Sequence, residues 1–320
     1  MESPTLKTAI LHNDLCLRHD TGAGHPESPQ RYQAILKALQ GADWSSRLSF
    51  QKTRSAEDED LARCHAAAYI ATAKRDIQAG KNQLSTGDTV VCEESLEPAL
   101  HAAGGACAAV DAVMNKQAKN AFCLMRPPGH HARPMQGMGF CVFNNIAVAA
   151  RYAQQQHQLE KVLIVDWDVH HGNGTQDCFY EDDSVFFLST HQWPWYPGTG
   201  AKDDLGRGRG KGTTMNRPFP AGAGEKEILG VFRDELREAA RRFHPDLVLV
   251  SAGFDSRIGD PLGNFKLSDN NFAELTQVML ELADELAEGR LVSLLEGGYN
   301  LQGLASAAAS HCKTLAFHEK

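Results

Sequence analysis

The chain has 320 residues, of which 42% are hydrophobic and 22% charged, and its formal net charge at pH 7 is -8. That length and apolar share sustain one large α/β core, while the acidic balance and the scattered Lys and Arg disfavour a nucleic-acid or anionic-membrane footprint. Its 8 cysteines include no C-x-x-C pair, which argues against a thiolate zinc site and a disulfide framework and for reduced, mostly core thiols.

Met1-Glu2-Ser3-Pro4 lacks the basic-then-apolar form of a secretory signal, and no segment approaches the roughly 20 apolar residues needed to span a bilayer. A cytoplasmic protein is expected. In chain order, Thr8 to Leu11 reads as a strand and Ser28 to Gln40 as a helix, with Ser28 as N-cap and Pro29 at its first position. Leu96 to Met114 is an Ala-rich helix. Ala121 to Met125 is a short apolar run that the prolines and glycine of Arg126-Pro127-Pro128-Gly129 stop from continuing as a helix. Helical periodicity covers Asn144 to Gln156, Glu225 to Phe243, Asn270 to Ala287 and Leu304 to Ala316, and apolar strands cover Lys161 to Val165, Asp246 to Val250 and Leu291 to Leu295. This alternation predicts residues 1–320 to form a single α/β domain, a mainly parallel central sheet flanked by helices.

Four of these strands end in side chains suited to one site. Lys161-Val162-Leu163-Ile164-Val165 leads to Asp166-Trp167-Asp168-Val169-His170-His171-Gly172-Asn173-Gly174. In an extended backbone Asp168 and His170, two residues apart, point the same way and can grip one ion. Ala121 to Met125 leads to His130 and His131, the strand before Ser251-Ala252-Gly253-Phe254 to Asp255, and the last strand through Glu296-Gly297-Gly298 to Tyr299. In open α/β sheets ligands bind beyond the carboxyl ends of the strands, so these loops should share one crevice.

Three protein ligands, Asp168, His170 and Asp255, leave a coordination position open, the mark of a catalytic metal. Two carboxylates in the set acidify water less than two histidines would, so a neighbouring base matters. His130 and His131 can supply base and acid, with Asp166 orienting one ring and the amide of Asn173 orienting the other while leaving it less basic. Tyr299 can donate a hydrogen bond to an oxyanion. A different chemistry is suggested only by the glycines of residues 198–212, but Gly212 stands where a phosphate loop needs Ser or Thr, so an irregular surface loop is expected. His171 is expected to be structural, His25 to shape a loop near the crevice, and Met135 and Met138 to sit in a loop or rim. His12, His19, His65, His101, His157, His191, His244, His311 and His318 are expected to be surface or core residues.

Several motifs in order resemble the histone deacetylase superfamily, which also contains acetylpolyamine amidohydrolases and acetoin-utilisation proteins. They are Gly24-His25-Pro26-Glu27-Ser28-Pro29-x-Arg31, Arg126-Pro127-Pro128-Gly129-His130-His131-Ala132, Gly139-Phe140-Cys141-x-x-Asn144-Asn145, Asp166-x-Asp168-x-His170-His171-Gly172-Asn173-Gly174-Thr175, Pro197-Gly198-Thr199-Gly200, Ser251-Ala252-Gly253-Phe254-Asp255 and Glu296-Gly297-Gly298-Tyr299. The resemblance implies an arginase/deacetylase-like fold and zinc (Zn2+), or ferrous iron (Fe2+) in the cell, on Asp168, His170 and Asp255. It implies His130 and His131 as the acid/base pair, Tyr299 as the carbonyl-polarising residue, and a structural potassium ion (K+) around Asp166, Asp168, His170, Ser189 and Thr190.

Asn173 stands where one branch of that family has aspartate, which resembles the class II side and many bacterial members. The resemblance also implies an acyl-lysine tunnel walled by Gly139, Phe140, Tyr196 and Leu262. Tyr196 departs from the usual phenylalanine, which leaves the tunnel narrower or more polar. Leu262 holds the position where polyamine-selective members carry glutamate, and an apolar gate cannot select a polycation by charge. The expected activity is removal of an acetyl or other acyl group from the lysine ε-amine of a peptide or protein. The alternatives are a deacetylase of acetylpolyamines or other small acylated amines and, from a different class, a non-catalytic binder of acylated ligands. Homo-oligomerisation stays open.

Overall fold

The computed structural model describes residues 6–319, so the opening tetrapeptide lies outside the described residues. Eight strands form one sheet: β1 (Thr8–His12), β2 (Leu48–Lys52), β3 (Asn120–Leu124), β4 (Val162–Asp166), β5 (Val185–Gln192), β6 (Thr214–Phe219), β7 (Leu247–Ala252) and β8 (Leu291–Leu295). They lie in the order β2-β1-β3-β8-β7-β4-β5-β6, and every pair is parallel. Strands β3, β4, β5, β7 and β8 are buried along their whole length; β3, β4, β7 and β8 accordingly read as mostly apolar runs rather than alternating ones, while β5 follows Val185-Phe186-Phe187-Leu188 with polar Ser189-Thr190-His191-Gln192. Each Val, Leu or Ile so buried contributes about 1.5–3 kcal/mol of transfer free energy.

The helices are α1 (Pro29–Gln40), α2 (Asp58–Ala62), α3 (Ala67–Gln78), α4 (Leu96–Met114), α5 (Asn145–Gln156), α6 (Asn173–Phe179), α7 (Glu225–Gly230), α8 (Arg237–Phe243), α9 (Asp269–Leu286) and α10 (Leu301–Phe317). Helix α10 packs between α1 and α9, with α7 and α8 against α9, while α4 packs on α5. Among the described residues no helix is long and apolar enough to cross a membrane. The single-domain α/β architecture expected from the alternation is the one observed.

Some local expectations change. The 225–243 segment is one continuous rod whose middle, Val231–Leu236, is wound as a π-helix. Helix α10 begins one turn earlier than its apolar periodicity, because the side chain of Asn300 accepts from the N–H of Gly303 and caps it there. Ser28 is the N-cap of α1, but its side chain makes no capping bond and Pro29 sets the start instead. All 8 cysteines are unpaired.

Candidate metal and acid/base site

The strand order makes β3, β8, β7 and β4 four consecutive neighbours. Their registers, Cys123 opposite Leu294, Ala252 opposite Leu295 and Asp166 opposite Ser251, bring the four carboxyl ends out at one level. The loops after them therefore meet. Strand β4 stops at Asp166, so Asp168 and His170 project from a bend, not from the strand that their spacing suggested.

Asp168, His170 and Asp255 offer ligand atoms that all lie within 4.8 Å of one another, and all three are buried. His170 Nδ1 is 2.9 Å from Asp168 Oδ1 and 3.2 Å from Asp255 Oδ2. Backbone N–H groups fix both carboxylates: Gly297 donates to Asp168 Oδ2 (2.8 Å) and Val169 to Asp255 Oδ1 (2.8 Å). A Cβ on Gly253 would run into the Asp168 carboxylate and one on Gly297 into both, so glycine is required at both positions for the loops to approach.

The donor set fits a divalent cation. Burial first, and then the charge of Asp168, pushes Asp255 up to about 7, while the neighbouring histidines hold Asp168 low against its own burial. With His170 neutral, as a ligand must be, the two facing buried carboxylates carry negative charge that a metal ion balances. Two oxygens and one imidazole nitrogen suit Zn2+ or Fe2+.

Beside this cluster the rings of His130 and His131 lie 4.0 Å apart. His130 Nδ1 meets Asp166 Oδ2 at 2.9 Å and His131 Nδ1 meets Asn173 Oδ1 at 2.8 Å. The partners divide their behaviour. Burial disfavours charge on His130, but Asp166 and Asp168 overcome it and hold the ring well above the usual histidine range. For His131 burial and the two neighbouring histidines act together and hold it well below that range, since an amide cannot compensate as a carboxylate does.

A cavity of about 310 Å³ opens over these groups, lined by His131, His170, Phe140, Trp195, Tyr196 and Leu262, with Gly139, Asp88 and Tyr299 also on its wall. Tyr196 stands edge-on to His131 with centroids 5.2 Å apart, and Phe140 edge-on to Tyr299 at 6.0 Å. Burial raises the Tyr299 phenol well above its usual range, so it stays a donor. A larger groove of about 910 Å³ runs past Arg133, Asp177, Arg151 and Asp182, but Arg133, Arg151 and Arg207 in it are paired with acids and it holds none of the residues above.

The potassium candidates are adjacent: Ser189 pairs in register with Asp166 across β4 and β5, and the Thr190 hydroxyl is buried without a hydrogen-bond partner among the described residues. His171 bridges Thr199 Oγ1 (2.8 Å) and Gln176 Oε1 (3.1 Å), beside the cluster and not in it. His25 stacks edge-on against Phe140.

Sequence reasoning gave no role to six residues that hold the site. Glu27, Arg31 and Arg126 form a fully buried charge network. Arg31 donates to the carbonyls of Gly298 (2.7 Å) and Glu296 and lies over the Tyr299 ring. The Glu296 carboxylate, raised to about 7 by burial, accepts from the N–H groups of Gly129 (2.7 Å) and His130 (3.1 Å) and so ties the histidine loop to the Tyr299 loop. Asp260 accepts from the N–H of Tyr299 (2.7 Å) and of Leu262 (2.9 Å). Glu27, Arg31, Arg126 and Glu296 stand inside the quoted motifs, but their partners are set by the fold. Asp88, which accepts from Gly139 N–H (2.8 Å) and Tyr196 Oη (3.0 Å), lies in no motif.

The histone deacetylase domain family matches residues 25–315. Histone deacetylase 10, chloroplastic, of Oryza sativa subsp. japonica is 43% identical over 301 residues, which are 89% of this chain and 68% of that protein. Polyamine deacetylase HDAC10 of Homo sapiens is 39% identical over 321 residues, covering 96% of this chain and 47% of that longer protein. The crystal structure of the HDA15 HD domain matches with a TM-score of 0.91 and 36% identity over 97% of this chain and 91% of that one.

Proposed function

The chain belongs to the histone deacetylase family, and from that premise we propose that residues 1–320 form one catalytic domain, a zinc-dependent hydrolase that removes acetyl or another acyl group from lysine ε-amines. The observation that carries this reading is the cavity lined by His131, His170 and Tyr299, with Asp168 and Asp255 gathered around His170 and His130 beside His131. When bound, the divalent cation, Zn2+ or in the cell Fe2+, polarises the amide carbonyl and makes water more acidic.

The protein's own groups do the rest. His131, kept neutral, takes a proton from the attacking water at Nε2 while Nδ1–H donates to Asn173. Water oxygen bonds to the carbonyl carbon, and Tyr299 donates a hydrogen bond to the oxygen on which charge develops. His130, held charged by Asp166, supplies a proton for the departing amine as the C–N bond breaks. The products are a carboxylate and a free amine. A potassium ion on the backbone oxygens of Asp166, Asp168 and His170 and on Ser189 and Thr190 would anchor the bend; the unpartnered Thr190 hydroxyl favours it.

The favoured substrate is an acylated lysine peptide or protein, because the tunnel walls Phe140, Tyr196 and Leu262 are uncharged and suit an aliphatic side chain. Asp88 at the wall, together with the polyamine-deacetylase relative, supports a second reading in which the substrate is a small acylated amine. Neither reading involves nucleic acid or a membrane, and a cytoplasmic protein, able to form homo-oligomers, fits both. The test is hydrolysis of a fluorogenic acetyl-lysine peptide beside acetylated putrescine and spermidine, with chelated protein and Tyr299→Phe as controls. Turnover of the peptide restored by zinc and lost in Tyr299→Phe is the expected result. Turnover of polyamines alone would select the second reading, and binding of acyl-lysine without any turnover would leave a non-catalytic binder.

A further inference from the structure

We infer that Met138 is a positioning residue for His131, acting through the side-chain amide of Asn173; this rests on the proposed role of His131 as proton acceptor. The two hydrogen bonds of that amide among the described residues divide its ends. Oδ1 faces His131 Nδ1 at 2.8 Å, and Nδ2 donates to the thioether sulfur of Met138 at 3.4 Å.

Which end faces His131 decides the tautomer of the imidazole. With Oδ1 toward the ring, Nδ1 must carry the proton and Nε2 keeps a lone pair. With the amide turned over, Nδ2–H would face the ring, Nδ1 would have to accept, and Nε2 would carry the proton. A neutral His131 in that state has no site on Nε2 to receive one. His130 needs no such device, because either oxygen of Asp166 accepts. An asparagine partner therefore leaves a choice, and a thioether that accepts and cannot donate resolves it in one direction.

The backbone fixes the point from which the Met138 side chain starts. Gly139, at φ +57°, carries the chain so close that a Cβ there would press on the His131 ring. The N–H of Cys141 donates to the carbonyl of Met138 (3.0 Å), closing a tight turn around it. On the other side Asn173 is the first residue of α6, only 5% exposed, with its N–H on the carbonyl of His171 (2.8 Å). The NH2 group is thus largely cut off from water and finds the sulfur instead.

The experiment compares Met138→Leu, which keeps bulk and removes the acceptor, with Met138→Glu, whose carboxylate restores an acceptor that cannot donate on an unbranched chain, each in the wild-type and the Asn173→Asp background. Kinetics on the acetyl-lysine peptide are paired with 15N NMR of the His131 ring in metal-free protein. Met138→Leu should lower kcat about 3- to 10-fold, the scale of one hydrogen bond, with little change in KM. It should also raise the Nε2–H fraction of His131, and Met138→Glu should return that fraction toward wild type. In Asn173→Asp both ends of the partner accept, so adding Met138→Leu should have no further effect. An equal loss in that background, or an unchanged His131 tautomer, would overturn the inference and leave Met138 a packing residue. If the wild-type protein hydrolyses no acylated amine, the proposed function fails, and the NMR arm still decides for or against the orienting role.

Discussion

Glu27 and Arg126, 99 residues apart in the chain, meet as a bidentate ion pair with both side chains fully buried: Nε to Oε1 at 2.7 Å and Nη2 to Oε2 at 2.6 Å. Arg31 bonds the same carboxylate at 3.0 Å, and Arg126 also donates to the carbonyls of Cys16 and His19. The pair therefore fastens the segment before α1 to the strand end that carries His130. Removing one member leaves the other charged and buried, so Glu27→Gln should cost about 3–5 kcal/mol of stability. Urea unfolding checks it. The sign with pH follows from a folded carboxyl held well below its ordinary value by the arginines despite burial: the contribution is present above the unfolded pKa and is lost as pH falls through the folded one. A loss under about 1 kcal/mol at pH 7 would put Glu27 in the class of surface pairs.

His311 and His65 give an acid sensitivity of a different kind. His311 is enclosed by Phe122, Trp167 and Phe254 and sits between Thr276 Oγ1 and Ser293 Oγ, each at 2.7 Å. Burial pushes it down to about 3 and His65 down to about 4. Below pH 6.5 the unfolded chain binds protons that the folded one refuses, so stability falls as pH drops from 6.5 toward 4. Each histidine should contribute up to about 1.4 kcal/mol per pH unit. Chemical denaturation between pH 7 and 5 should show a shallower slope in His311→Gln, and an unchanged slope would remove this histidine from the account.

Asp260 couples the tunnel wall to the candidate oxyanion donor, because one carboxylate holds the N–H groups of Leu262 and Tyr299. Asp260→Ala should lower kcat about 10- to 100-fold through displacement of Tyr299. The bound zinc should remain near wild-type stoichiometry, since Asp260 is outside the metal cluster. Metal analysis beside steady-state kinetics separates these outcomes; a loss of zinc in proportion to activity would reassign Asp260 to holding the metal site.

Leu262 and Asp88 line the same cavity. Leu262→Glu would add a second carboxylate there, and kcat/KM for acetylspermidine relative to the lysine peptide should rise about 5-fold or more, the value of one partly exposed ion pair. Competition assays with both substrates read the ratio directly. No shift would mean that position 262 does not set charge selectivity in this tunnel.

The site strands were readable because each joins an apolar run buried on both faces to a glycine- or proline-marked end. That grammar brought Asp168, His170, Asp255, His130 and Tyr299 forward as candidates, and the structure gathers them. Edge strand β2, Leu-Ser-Phe-Gln-Lys, is only partly buried and carries no such signature. Helix α6 has seven residues and two of its first three are Asn and Gly, too short for periodicity; tertiary contact forms it, Thr175 N–H bonding the carbonyl of His130 (3.1 Å). Asp88 was invisible because nothing near it in the chain hints that Tyr196, 108 residues later, will donate to it. Long-range pairing of this kind is a property of the fold, and a linear pattern does not encode it.

The placement of β8 between β3 and β7 has a consequence for how the protein comes into being on the ribosome. Segments 120–131 and 162–173 emerge before it, and the strand that joins the two halves of the sheet, with the Glu296 and Tyr299 that follow it, is made after the other seven strands. Without β8 the sheet order divides into β2-β1-β3 and β7-β4-β5-β6, and β3 and β7 would each present an open parallel edge. One central strand thus covers both edges and carries Glu296 and Tyr299 to the site, so a chain cut before it should be exposed to aggregation and lack those residues together.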